Sequence, residues 1–224
     1  MDHTAVTNNF LHSLFSQCNV TLNGVTTTQA SEHYNYRSYH ETLLTYGTDA
    51  AASHLSKAYW YRDKGDMQPC DPTAETLTSA TNRGFITRWN KLGASKEVQL
   101  FGRLHSDLCN VPLYLLPGVR LQIRLTKARS SFYTMNNDVD SKSTFKFFDA
   151  QLLVRCIRAN TVMLIAHNLT LSKGGLARYN LTRVELKIFT FSARSKSLSI
   201  DNAVLGPILK RLLFTMVKNT DFIG

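Results

Sequence analysis

The sequence predicts a mainly β protein, a sandwich of antiparallel strands with short helical insertions. Three observations lead there. Residues 119–126 alternate strictly, with Val119, Leu121, Ile123 and Leu125 on one face and Arg120, Gln122, Arg124 and Thr126 on the other. Residues 18–22 alternate in the same way before Asn23-Gly24, the pair whose positive φ suits a type I′ hairpin, and residues 25–28 are β-rich enough to return as its partner. Turn signals then recur along the chain often enough to separate about eight strands or more.

Taken in order, Phe10, Leu11, Leu14 and Phe15 recur at helical spacing, with Asn8 or Asn9 placed to cap a short helix. From Cys18 the period drops to two, through Val20 and Leu22, and the hairpin returns from Val25. Residues 32–57 read as a helical insertion: Tyr36, Tyr39, Leu43 and Leu44 share a face, Gly47 ends one helix, and Thr48 caps a second. Tyr59-Trp60-Tyr61 is the aromatic group expected to lay that insertion onto the sheet. Residues 62–82 are polar and turn-rich, a long exposed loop. Strands are expected at 85–89, 97–101 and 119–126, the last of them central with its apolar face buried. After a loop at 136–143, a long strand or bent pair is expected over 145–157. Asn160 or Thr161 starts a short helix ended by Gly174-Gly175, and further strands follow at 181–191 and 209–217.

Composition narrows the class. A chain of 224 residues with 43% hydrophobic and 19% charged side chains can bury a sizeable core. No apolar run reaches the roughly 20 residues of a membrane span, and the first residues lack the basic and apolar regions of a signal peptide. Cys18, Cys70, Cys109 and Cys156 form no C-x-x-C pair and read as reduced thiols. Asn19, Asn168 and Asn180 head N-x-T triplets, chance matches in a chain read as unexported. The net charge of +10 favours polyanions, yet the 26 lysines and arginines are scattered, so only weak electrostatic contact with nucleic acid is expected.

Catalytic, cofactor and metal residues are all read as none. His3, His12, His33, His40, His54, His105 and His167 occur singly, without H-x-H or H-E-x-x-H spacing. His105-Ser106-Asp107 holds the three residue types of a serine triad, but triad members come from separate segments, so adjacency points to a turn. Asp138 and Asp140 lack the glycine and terminal glutamate of a calcium loop. His40-Glu41 sits on a helix, where packing and i,i+4 contacts are its expected roles.

Several motifs in the same order add a resemblance. The run Leu11-His-Ser-Leu-Phe-Ser-Gln with the later Leu-Asn-Gly, then Tyr39-His-Glu-Thr-Leu-Leu-Thr-Tyr-Gly, Gly102-Arg-Leu-His-Ser-Asp, Arg183-Val-Glu-Leu-Lys-Ile-Phe and Asp201-Asn-Ala-Val-Leu-Gly with Lys210-Arg211 are similar to major capsid proteins of Polinton/Maverick elements and adintoviruses. That resemblance covers nearly the whole chain. It implies a viral-capsid jelly roll: residues 1–180 as a first jelly roll lacking its leading strands, and 181–224 as the opening strands of a truncated second. It implies a non-enzymatic shell subunit that forms trimers, contacts other capsid proteins, resides in the virion and touches no membrane. The alternative is a basic β-sandwich module binding nucleic acid or glycan.

Overall fold

The computed structural model describes residues 4–27, 33–74, 78–93, 96–136, 144–206, 208–219 and 222. The expected loop at 136–143, with Asp138 and Asp140, lies outside the described residues apart from Asn136, and so does His3. The elements in chain order are β1 (Ala5–Val6), α1 (Phe10–Ser13), β2 (Phe15–Leu22), β3 (Val25–Thr26), α2 (Tyr34–Thr45), α3 (Thr48–Ala52), α4 (Arg83–Leu92), β4 (Leu121–Lys127), α5 (Ser130–Tyr133), β5 (Thr134–Met135) and α6 (Thr161–Ser172). Single 3-10 turns occupy His54–Ala58 and Leu108–Asn110.

The jelly-roll expectation is corrected. Among the described residues the strands form only two small antiparallel sheets, one of β1 and β5 and one ordered β3-β2-β4. Helices supply more of the chain than strands do. Five strand expectations fail: residues 85–89, 97–101, 145–157, 181–191 and 209–217 join neither sheet. Their apolar side chains alternate or cluster as strands require, but no ladder partner lies beside them, and alternation alone makes no hydrogen bonds.

The local readings around the hairpin hold. Asn23 and Gly24 have φ of 49° and 83°, and β2 pairs β3 with Leu22 opposite Val25. β4 forms where alternation placed it and pairs β2 from Leu121 opposite Leu22 to Lys127 opposite Phe15, with an irregularity between Phe15 and Gln17. It is nevertheless an edge strand: Leu121 and Ile123 are half-buried and Leu125 is exposed. Fully buried in this sheet is Val20 on β2, the middle strand.

Residues 85–89 are helical, not a strand. Phe-Ile-Thr-Arg-Trp is rich in β-formers, but Asn82 accepts a hydrogen bond from the Phe85 amide at 3.1 Å and so caps α4. Helical spacing then turns Phe85 and Arg88 inward together. Asn82 does more than cap. Its Oδ1 also takes the Lys64 amide at 3.4 Å, and its Nδ2 donates to Asp63 Oδ1 at 2.8 Å and to the Gln68 carbonyl at 3.2 Å. The 62–82 loop is thus tied to α4 through one buried amide. Asn82→Ala is expected to cost about 2 kcal/mol or somewhat more, above the usual loss of a cap, read as a lowered urea midpoint.

The helical insertion also holds, with its inward face rotated. α2 buries Tyr34, Asn35, Ser38 and Thr42, whereas Leu43 and Leu44 are exposed. The helix docks through a polar seam, because Asn9 Nδ2 donates to Ser38 Oγ at 3.2 Å. Trp60, buried, lies against Tyr39 of α2 with ring centroids 5.1 Å apart. The core itself is Val6, Phe10, Leu14, Tyr59 and Tyr133, with Phe15, Tyr61, Leu92, Val98, Leu100, Ala128 and Phe145 packed around it. Val98 and Leu100 reach that core on alternate positions, as expected, though residues 97–101 pair with no strand.

Arg88 is the charge at the heart of this half. Fully buried, it donates through Nε to the Val6 carbonyl at 2.6 Å, through one terminal nitrogen to the Tyr61 carbonyl, and through the other to Asp63 Oδ1 at 2.5 Å. The second terminal nitrogen also lies 3.3 Å from Met135 Sδ. One planar fork therefore braces α4, both β1 and β5, and the 59–63 segment.

Candidate functional site

Two features qualify as candidate sites. One is a polar cluster inside the first half; the other is the apolar surface of the second.

The cluster draws on three segments far apart in sequence. α1 presents His12, α2 presents Tyr34, Arg37 and Glu41, and the segment before the second 3-10 turn presents His105, Ser106 and Asp107. His12 Nδ1 lies 3.0 Å from the Tyr34 hydroxyl, and the His105 amide reaches the same oxygen at 3.4 Å. His105 Nδ1 lies 2.7 Å from Glu41 Oε2. Arg37 spans two carboxylates, donating to Glu41 Oε1 at 2.8 Å and Asp107 Oδ1 at 2.5 Å. The two imidazoles meet edge to face with centroids 4.7 Å apart. Gly102 lies close against this cluster: a methyl group on it would sit 2.6 Å from Leu11 Cδ2 and 3.2 Å from His12 Nε2.

Burial sets the electrostatics. It pushes the His12 pKa down to about 3, with His105 adding to the effect. Burial, then Cys18, pushes the Tyr34 hydroxyl up. Burial alone would raise the Glu41 carboxyl, but the hydrogen bonds and charges of His105 and Arg37 outweigh it and hold Glu41 below its ordinary value. Cys18 beside this cluster is raised to about 11 by burial and by Cys109, so its thiol is no nucleophile at neutral pH.

This geometry is not that of a serine triad. Ser106 is buried, and its Oγ engages neither His105 nor Asp107. His105 is turned to Glu41, and Asp107 to Arg37. What the arrangement can do is hold α1, α2 and the 102–107 segment together through charge-assisted hydrogen bonds. His40-Glu41 acts partly as its helical position suggests, through the i,i+4 pair of Arg37 and Glu41, but Glu41 also reaches His105 across the fold. Sequence reasoning missed that convergence, and the only signal for it was polar residues on the inward face of α2. Among the described residues, no group of three or more histidine, cysteine or acidic side chains is placed to hold a metal ion. All four cysteines are free thiols.

The second half is different in kind. Residues 144–160 and 175–219, where described, run as irregular backbone around α6, which Asn160 caps at the Val162 amide and Gly174 ends with φ of 84°. Few contacts tie this half down. Phe145 and Phe147 pack on Phe10 and Phe15, Tyr179 bridges Leu116 and Tyr114, and Phe222 stacks on Tyr36 at 5.3 Å. Its large apolar side chains mostly face outward: Phe148 is 72% exposed, Phe214 85%, Met216 88% and Ile208 99%. A shallow depression lined by Thr190, Phe191, Ser192, Ser195 and Leu198 offers no titratable group. No helix among the described residues is long and apolar enough to cross a membrane.

Compared with known proteins, the chain matches no family model, no curated protein and no solved structure.

Proposed function

We propose that this chain is a structural subunit that works by associating with further copies, of the class its motifs resemble: the capsid-forming proteins of Polinton/Maverick elements and adintoviruses. Its place would then be the virion, its partners other capsid chains, and its association a trimer, as the resemblance implies. The reading concerns assembly and does not rest on a jelly-roll architecture.

One observation carries it. Among the described residues of 144–219, most large apolar side chains lie open to water, Phe148, Phe214 and Met216 among them. Contiguous apolar patches beyond a few hundred Å² are rare on soluble monomers and mark surfaces that other chains cover. Each large side chain so covered is worth roughly 1.5–3 kcal/mol, so a handful suffices to drive association.

Light scattering of the full chain tests this. The expected result is an oligomer at micromolar concentration, and a shift to monomer when Phe148, Leu153, Phe214 and Met216 are together replaced by serine. A monomeric parent chain would refute the reading. So would a monomer that binds a generic polyanion with steep salt dependence, which instead fits a basic binding module using Arg120, Arg124, Lys127 and Arg129.

A further inference from the structure

We propose that the His12–Tyr34–His105–Glu41 cluster is an acid-triggered latch that fastens α2 and the 102–107 segment to α1 and releases them when His12 takes up a proton. The inference is independent of the assembly reading.

The geometry sets the trigger. His12 is fully enclosed, with Tyr34 at its Nδ1, Gly102 against its Nε2 and the His105 ring 4.7 Å away. The groups facing it come from every element around α1. From α2 they are Tyr34, with Arg37 and Glu41 behind it; from the 102–107 segment they are His105 and Asp107. From β2 comes Cys18, and from the first 3-10 turn uncharged Ala58, which borders the same glycine. α5 places Tyr133 against Phe10, and Phe10 neighbours His12 on α1. The carboxylates in this set are already engaged: Glu41 by His105 and Arg37, Asp107 by Arg37. A proton on His12 therefore places a charge in an enclosed site whose carboxylates, Glu41 and Asp107, already hold other partners.

Direction follows from linkage. His12 in the fold is depressed to about 3 from its ordinary 6.5, so the neutral ring stabilises the fold fully above 6.5 and progressively less as pH falls toward 3. Glu41, also below its ordinary value, loses its contribution in the same direction as it becomes protonated. Both push the latch open in acid and neither opens it in base.

The packing of Trp60 on Tyr39 supplies a reporter of α2 docking. The experiment titrates the full chain from about pH 7.5 to about pH 3, around the ordinary histidine range. It follows Trp60 fluorescence in a Trp89→Phe background, with far-UV circular dichroism alongside. The expected result is release of Trp60 between pH 6.5 and 3 before helical signal is lost. In His12→Gln that midpoint should move down by about one pH unit or more, while His167→Gln, exposed on α6, leaves it in place. Imidazole NMR of the unsubstituted protein supplies a readout even if His12→Gln fails to fold, and His12 should gain its proton within the same transition. An unchanged midpoint in a folded His12→Gln protein, or a His12 that stays neutral through the release, would overturn the latch.

Discussion

Arg88→Met is expected to lower the unfolding free energy by about 3–5 kcal/mol, the range for removing one partner of a buried ion pair. Methionine fills much of the space, so the loss reports hydrogen bonding and not a cavity. The carbonyls of Val6 and Tyr61 lose their donor, and Asp63 keeps its charge beside Asn82 without its cation. Lysine will not rescue the protein, because a single ammonium cannot serve two carbonyls and a carboxylate that diverge around a planar fork. Urea denaturation followed by Trp60 measures the difference. Arg124→Met on the exposed face of β4 is the control and should change stability by no more than about 0.5 kcal/mol. A cost below about 1 kcal/mol for Arg88→Met would mean that the fork does not brace the fold.

Phe10→Ala should cost as much, about 3–5 kcal/mol, for a different reason. Phe10 stands edge-on to Tyr59 and Tyr133, with centroids 6.2 Å and 6.3 Å away, and tilts against Phe145 at 4.9 Å. Truncation opens a cavity on all those sides at once, and aromatic pairing adds about 0.5–1.5 kcal/mol per contact to the area term. Phe148→Ser, on a side chain mostly in water, should leave the same unfolding midpoint nearly unmoved while weakening self-association. Equal sensitivity at the two positions would contradict the division between a packed first half and an uncovered second.

What the sequence made legible was local. Asn23-Gly24 announces its hairpin because the turn needs only its own two residues, and Asn160 with Gly174 marks both ends of α6 for the same reason. Residues 119–126 reveal a strand but not its place in a sheet, since alternation says which side chains share a face and nothing about what lies beyond the edge. The misreading at 85–89 arose where β-forming side chains outweighed Asn82 three residues ahead of Phe85. Arg88 could not be found at all, because arginine normally faces water. The cluster of His12, Glu41 and His105 was equally hidden. Its members lie at sequence separations of 22 to 71 residues in the hydrogen bonds that join them, and no spacing rule spans such gaps. The β sandwich rested on strand-like segments, and the jelly roll on the resemblance; among the described residues most of those segments have no pairing partner.

The pairing of β1 with β5 has a consequence for biosynthesis. Ala5 finds its register opposite Met135, so β1 waits for about 130 further residues before it can be satisfied. At ribosomal speeds of about 5–20 residues per second, that interval is roughly 6–26 s. Throughout it Val6, Phe10 and Leu14 lack Tyr133, and Tyr59 joins them only partway through. Until Tyr133 and Met135 are made, β1 and α1 are open to capture by holdase chaperones or by neighbouring nascent chains on the same messenger.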